Sequence, residues 1–222
     1  MNSKTIIMSL LLAAALVPFV RADIAPPLTV DAVLADLVKD NGPIQARARQ
    51  LLPRFGAEAV PGLIRLFGDN DEHIWRTAMV VLRDIAHQPA PIRMDSEEVT
   101  PARIAVEQAL MPLVNAGQSP VLVKRALSLL PFVVAEETNV SPVAALLTNA
   151  DLRERARACL EECGTANALD ALAAAAEAHP DMGFQYALLN ALFGKTSKIG
   201  DMGFAVRLCD SPSGLVRASA AR

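Results

Sequence analysis

Three cysteines, three histidines and one Gly-Lys-Thr tripeptide are the residues of this 222-residue chain whose types could do chemistry. Cys159 and Cys163 stand one helical turn apart and could hold a soft metal, with His179 as a third ligand. Gly194-Lys195-Thr196 imitates the end of a phosphate loop. That loop needs a glycine five residues earlier, where Leu189 stands, and a strand-to-helix order that this tripeptide lacks because it follows a helical stretch. His73, His87 and His179 could act as bases, but no acid or nucleophile sits at a useful spacing from any of them. No G-x-S-x-G or H-E-x-x-H occurs. The expectation is a protein that is not an enzyme, with no metal site and no cofactor.

The elements that must position these residues follow one template. Gly56–Ala86 reads as two short helices joined by an Asp-rich turn. The first puts Val60, Leu63, Ile64 and Phe67 on one face; the second does the same with Ile74, Ala78, Val81, Leu82 and Ile85. The second-helix pattern recurs 30 residues earlier as Ile44, Ala48, Leu51, Leu52 and Phe55, and 48 later as Leu122, Ala126, Leu129, Leu130 and Val133. A further 30 gives Leu152, Ala156, Cys159, Leu160 and Cys163. The two cysteines thus occupy positions held by Leu51 and Phe55 and are expected to be small core hydrophobes. Weaker copies continue through Phe184, Leu188 and Leu192, and a last pair begins near Met202. About five helix pairs and part of a sixth are predicted: an all-α fold, an α-solenoid of antiparallel helix pairs.

Gly56, Ala59-Val60-Pro61, Leu63-Ile64, the turn acids Asp69 and Asp71, Arg76 and Ala78 carry a resemblance to the HEAT repeat, in the short form found in phycobilisome-lyase-like proteins. The resemblance runs from about residue 29 to the end and is specific for architecture. It implies a superhelix whose second helices line a concave surface, and ladders between neighbouring units built from turn acids (Asp40, Asp69, Asp71, Asp151, Asp210) and arginines (Arg47, Arg76, Arg155, Arg217). Such repeats serve many roles.

Composition agrees with thin helices packed through small side chains: 52% of residues are hydrophobic and only 4% aromatic. The formal charge of −3 becomes −5 if Lys4 and Arg21 leave with a leader. An acidic chain is a poor generic ligand for phosphates, so no nucleic-acid partner is expected. Met1–Ala22 has the form of a signal peptide: Lys4, the apolar Ile6–Val20, and Val20-Arg21-Ala22 before the cut. The mature chain from Asp23 is expected to be exported, periplasmic or secreted, without a stable membrane span. An odd cysteine count then leaves at least one thiol free or intermolecular.

Thr29 or Asp31 can cap the first helix, and Pro43 opens the second. Thr100-Pro101, Ser119-Pro120, Ser141-Pro142 and Ser211-Pro212 repeat the pairing of a cap oxygen with a helix-opening proline. Pro53, Pro61, Pro112 and Pro131 are expected to kink helices without ending them. His87–Val99 is a polar run with no helical stripe, an inserted loop at 88–99. The last repeat stops without a polar cap, as a truncated solenoid would.

Opposite the predicted core, the second helices offer Arg49, Arg76, Met79, Val80, Arg83, Lys124, Leu127 and Arg157. Cations beside aliphatic groups suit a protein-binding strip. The functional expectation is an exported scaffold or adaptor that binds a protein or peptide on its concave face, with a cofactor or pigment lyase, or a passive segment of a larger secreted enzyme, as alternatives.

Overall fold

In a computed structural model of the chain the described residues are 28–87 and 100–221, so the expected leader and inserted loop lie outside them. Twelve α-helices and no strand occur among the described residues. The first helices of the pairs are α1 (Val30–Leu37), α3 (Val60–Phe67), α5 (Pro101–Leu110), α7 (Ser141–Ala145), α9 (Ala166–Ala178) and α11 (Gly203–Leu208). The second helices are α2 (Gly42–Leu51), α4 (Glu72–Ala86), α6 (Pro120–Leu129), α8 (Arg153–Cys163), α10 (Met182–Leu192) and α12 (Gly214–Ala220). The sixth pair, expected only in part, is present with short helices.

Cap chemistry sets most of these starts. Thr29 accepts from the Ala32 amide, Asn41 from Ile44, Thr100 from Arg103, and Asp71 from both His73 and Ile74. Ser119-Pro120 opens α6 without a side-chain cap bond, Ser141 lies inside α7, and Ser213 rather than Ser211 caps α12. The prolines act differently from expectation. α-Helical bonding stops at Leu51, Leu110 and Leu129, and the chain runs on as 3₁₀ turns containing Pro53, Pro112 and Pro131. A residue without an N–H cannot donate back four residues, and its ring crowds that carbonyl. Pro61 sits in the first turn of α3, where neither cost applies. Gly56 (φ 54°, ψ −128°) turns the chain within the 3₁₀ stretch Leu52–Ala59, in a conformation that suits only glycine.

Helices pack within pairs and against the next pair along the chain: α1 on α3, α3 on α5, α6 on α8, α8 on α10, and α9 on α11. Ala48, Ala78, Ala126 and Ala156 are each 1% exposed or less and stand at equivalent points of successive second helices. Around them Leu63, Phe67, Leu82, Ile85, Leu110, Leu130 and Leu160 are fully enclosed in one apolar cluster. Burying each such side chain stabilises by about 1.5–3 kcal/mol, so the stack is held by a continuous spine. Gly62 lets it close: a Cβ there would lie 2.1 Å from Leu34 Cδ1 of the preceding repeat. The chain is an all-α solenoid of paired helices.

Candidate protein-binding face

Single side chains bridge neighbouring second helices of repeats 1–2, 2–3 and 4–5. In α2, α4 and α8 the residue directly after the template Ile or Leu carries a link to the next repeat. In α2 it is Gln45, which donates to the Leu37 carbonyl (2.9 Å) and meets His73 of α4 through Oε1 (2.9 Å). In α4 it is Trp75, whose ring lies 4.2 Å from the Arg125 guanidinium of α6. In α8 it is Arg153, 3.0 Å from Asp181 and stacked on Phe184 at 4.8 Å. Arg125 also donates to the carbonyls of Phe67 (3.0 Å) and Asp69 (2.8 Å), the last turn before α4, while its Nε is buried with no partner among the described residues.

The expected acid–arginine ladder is therefore replaced by another. Arg76 pairs with Glu72 of its own helix (2.6 Å), and Arg217 donates to the Ser211 and Pro212 carbonyls of its own turn. Asp71 and Asp69 are occupied with turn amides. A polar or aromatic residue directly after the template Ile or Leu (Ile44-Gln45, Ile74-Trp75, Leu152-Arg153) was the available signal for the true ladder.

The expected strip divides. Arg49, Arg76 and Lys124 are exposed, and Val80 and Arg83 are half-buried on the same outward side. Arg83 lies over the Phe132 ring at 5.9 Å, and His87 meets that ring edge-on at 5.8 Å. Phe132, 40% exposed, belongs to this surface although its pattern had not suggested it. Leu127 does not: it is 2% exposed and part of the core, which corrects its place on the strip. Met79, at the same helical position, packs partly against the core too. Aliphatic side chains at this position join the enclosed cluster, whereas Arg49, at the equivalent position of α2, stays exposed. Arg157 is drawn into pairs with Glu154 (3.1 Å) and Glu161 (2.6 Å) and is not a free cation.

The chemically suggestive residues have structural surroundings. Lys195 and Lys198 donate to the carbonyls of Glu161 (2.7 Å) and Gly164 (3.2 Å), placing two ammonium groups where the α8 dipole is negative. A cleft of about 660 Å³ lies over this seam, lined in part by Cys163, Gly194 and Ser197. Cys159 is buried; its contact with Cys163, and then burial, push its thiol far above the ordinary range and keep it neutral. Cys209 is exposed on repeat 6. His179 accepts from the Asp181 amide and packs on Phe184. His73, His87 and His179 thus sit in separate settings, and no three His, Cys, Asp or Glu among the described residues converge as metal ligands. No helix among these residues is long and apolar enough to cross a membrane.

No protein-family model and no curated protein matches the chain. Among solved structures it is similar to an engineered protein from a structural-genomics consortium, at 15% identity over 86% of this chain and 93% of that one, with a TM-score of 0.41. A designed armadillo repeat protein matches at 15% identity over 87% and 97% of the two chains, TM-score 0.39. Another engineered protein matches at 17% identity over 86% and 56%, TM-score 0.37.

Proposed function

We propose that this chain is a HEAT-like scaffold that binds a protein or peptide across its second helices, outside the cytosol, after loss of Met1–Ala22. One observation carries the reading. Arg49, Arg76, Arg83 and Lys124 stay on the outward side of three consecutive second helices, beside the exposed ring of Phe132. Arginine and aromatic groups presented together on a rigid support are the usual anchors of protein recognition. Superhelical curvature would make that side concave. The test is an affinity capture with the mature chain and an Arg76→Glu, Arg83→Glu double variant whose urea midpoint is unchanged. The variant should lose partners that the parent enriches; an identical partner set ends the proposal. Export is tested separately by finding Asp23 as the N-terminus of the mature protein.

A further inference from the structure

Charge is unevenly shared along the stack. Over 42–54, 72–87 and 120–132, the second helices of repeats 1–3 carry seven basic side chains against two acidic ones, Glu72 and Asp84. The matching stretches 150–162, 182–194 and 214–221 carry four of each, in a chain whose formal charge is −3. Of the seven, Arg125 is turned into the seam under Trp75, and Arg76 shares its charge with Glu72. Arg49, Arg83 and Lys124 have no carboxylate within ion-pair distance among the described residues. Two exposed apolar side chains flank them, Phe132 (40%) and Val121 (58%).

We propose that this face takes an extended acidic segment of a partner protein, its carboxylates meeting Arg49, Arg83 and Lys124 in turn and one apolar side chain resting on Phe132. The inference rests on the scaffold reading and adds the chemistry of the partner. One side-chain pair spans each gap between these second helices, Gln45 to His73 and Trp75 to Arg125, and an extended chain advances about 3.3 Å per residue. A carboxylate at about every third residue can therefore reach from one second helix to the next. Arg83 and His87 hold the Phe132 ring from two sides, so the apolar contact is pre-formed. A nucleic acid is the poorer occupant. Its affinity grows with the number of phosphates neutralised, and here a few separated cations stand on an acidic chain, beside apolar groups that a phosphate backbone does not use.

The experiment uses the mature full chain and three fluorescein-labelled probes read by anisotropy at 50 and 300 mM NaCl. They are a 12-residue peptide with Glu at every third position and one Leu, its Lys counterpart, and a 12-nucleotide oligothymidylate. The acidic peptide should bind at least tenfold more tightly than the other two. Arg49→Glu with Lys124→Glu should weaken it tenfold or more while circular dichroism and urea midpoint stay at the parent values. Equal or tighter binding of the oligothymidylate overturns the proposal, as does preference for the Lys peptide, absence of binding, or indifference to charge reversal. If the acidic peptide fails while Arg76→Glu, Arg83→Glu still strips a captured partner, the scaffold reading stands and only the partner chemistry is wrong. If both fail, the two fall together.

Discussion

Between repeats 2 and 3 a guanidinium reaches backward, from Arg125 to the carbonyls of Phe67 and Asp69 and the ring of Trp75. Between repeats 4 and 5 one reaches forward, from Arg153 to the carboxylate of Asp181 and the ring of Phe184. Both seams join neighbouring second helices through a stacked arginine, yet only the second includes a partner that can take up a proton. The first is half-buried and offers the cation neutral acceptors, so acid and salt leave it largely intact. The second ties its fate to a carboxylate that also caps α10 through the Gly183 and Phe184 amides. A repeat architecture therefore fixes where a link must lie without fixing its chemistry. The more inert seam lies beneath the proposed binding face.

That contrast can be broken most directly at Arg125. Arg125→Met keeps the aliphatic stem but removes two charge-assisted hydrogen bonds and the stacking, and should destabilise by about 3 kcal/mol in urea unfolding. A change under 1 kcal/mol would show that the neutral seam holds little. Trp75→Ala comes next, at about 1–2 kcal/mol, and Trp75→Phe should restore most of it, because the ring face is what Arg125 uses.

Acid should separate the two seams. The Asp181 carboxyl is held below its ordinary value first by the Phe184 amide and then by Arg153. Its contribution is therefore complete above about pH 4, the unfolded carboxylate value, and is lost as pH falls through the lower folded value. Hydrogen-exchange protection factors of α10 amides, which allow for the intrinsic slowing of exchange in acid, should fall as pH drops while those of α4 and α6 hold, and Asp181→Asn should flatten that difference. An equal fall of protection in all three helices would erase the comparison. The smallest effect is expected for Arg207→Gln, which removes an exposed pair with Glu177 (2.9 Å through Nη2). Its urea midpoint should differ from the parent at 20 mM salt and converge with it at 500 mM.

The spine was legible before any coordinates because Ala48, Ala78, Ala126 and Ala156 recur at fixed points of a helical period, and a period is a property of sequence alone. Caps at Thr29 and Thr100 were readable for the same local reason, whereas Asp71 was read as a ladder acid and is a cap. The strip was readable only in part. Leu127 was placed opposite the core by its helical angle, but as an aliphatic side chain at the edge of the apolar arc it joins the enclosed cluster, where Arg49 at the equivalent position of α2 does not. Arg157 carries the right charge, but Glu154 and Glu161, one turn away on either side, had already claimed it. Phe132 was hidden because it extends from a 3₁₀ turn after Leu129, where the α-helical period no longer predicts direction. Links between repeats depend on which side chains meet across a packing distance, and one period does not encode that.

The exposed thiol of Cys209 gives the molecule a native attachment point at the far end from Arg49 and Lys124. In the folded state a maleimide should couple there first, with Cys159 sealed inside and kept protonated. Tethered through that sulfur, the stack would stand on a sensor surface with repeats 1–3 facing the flow.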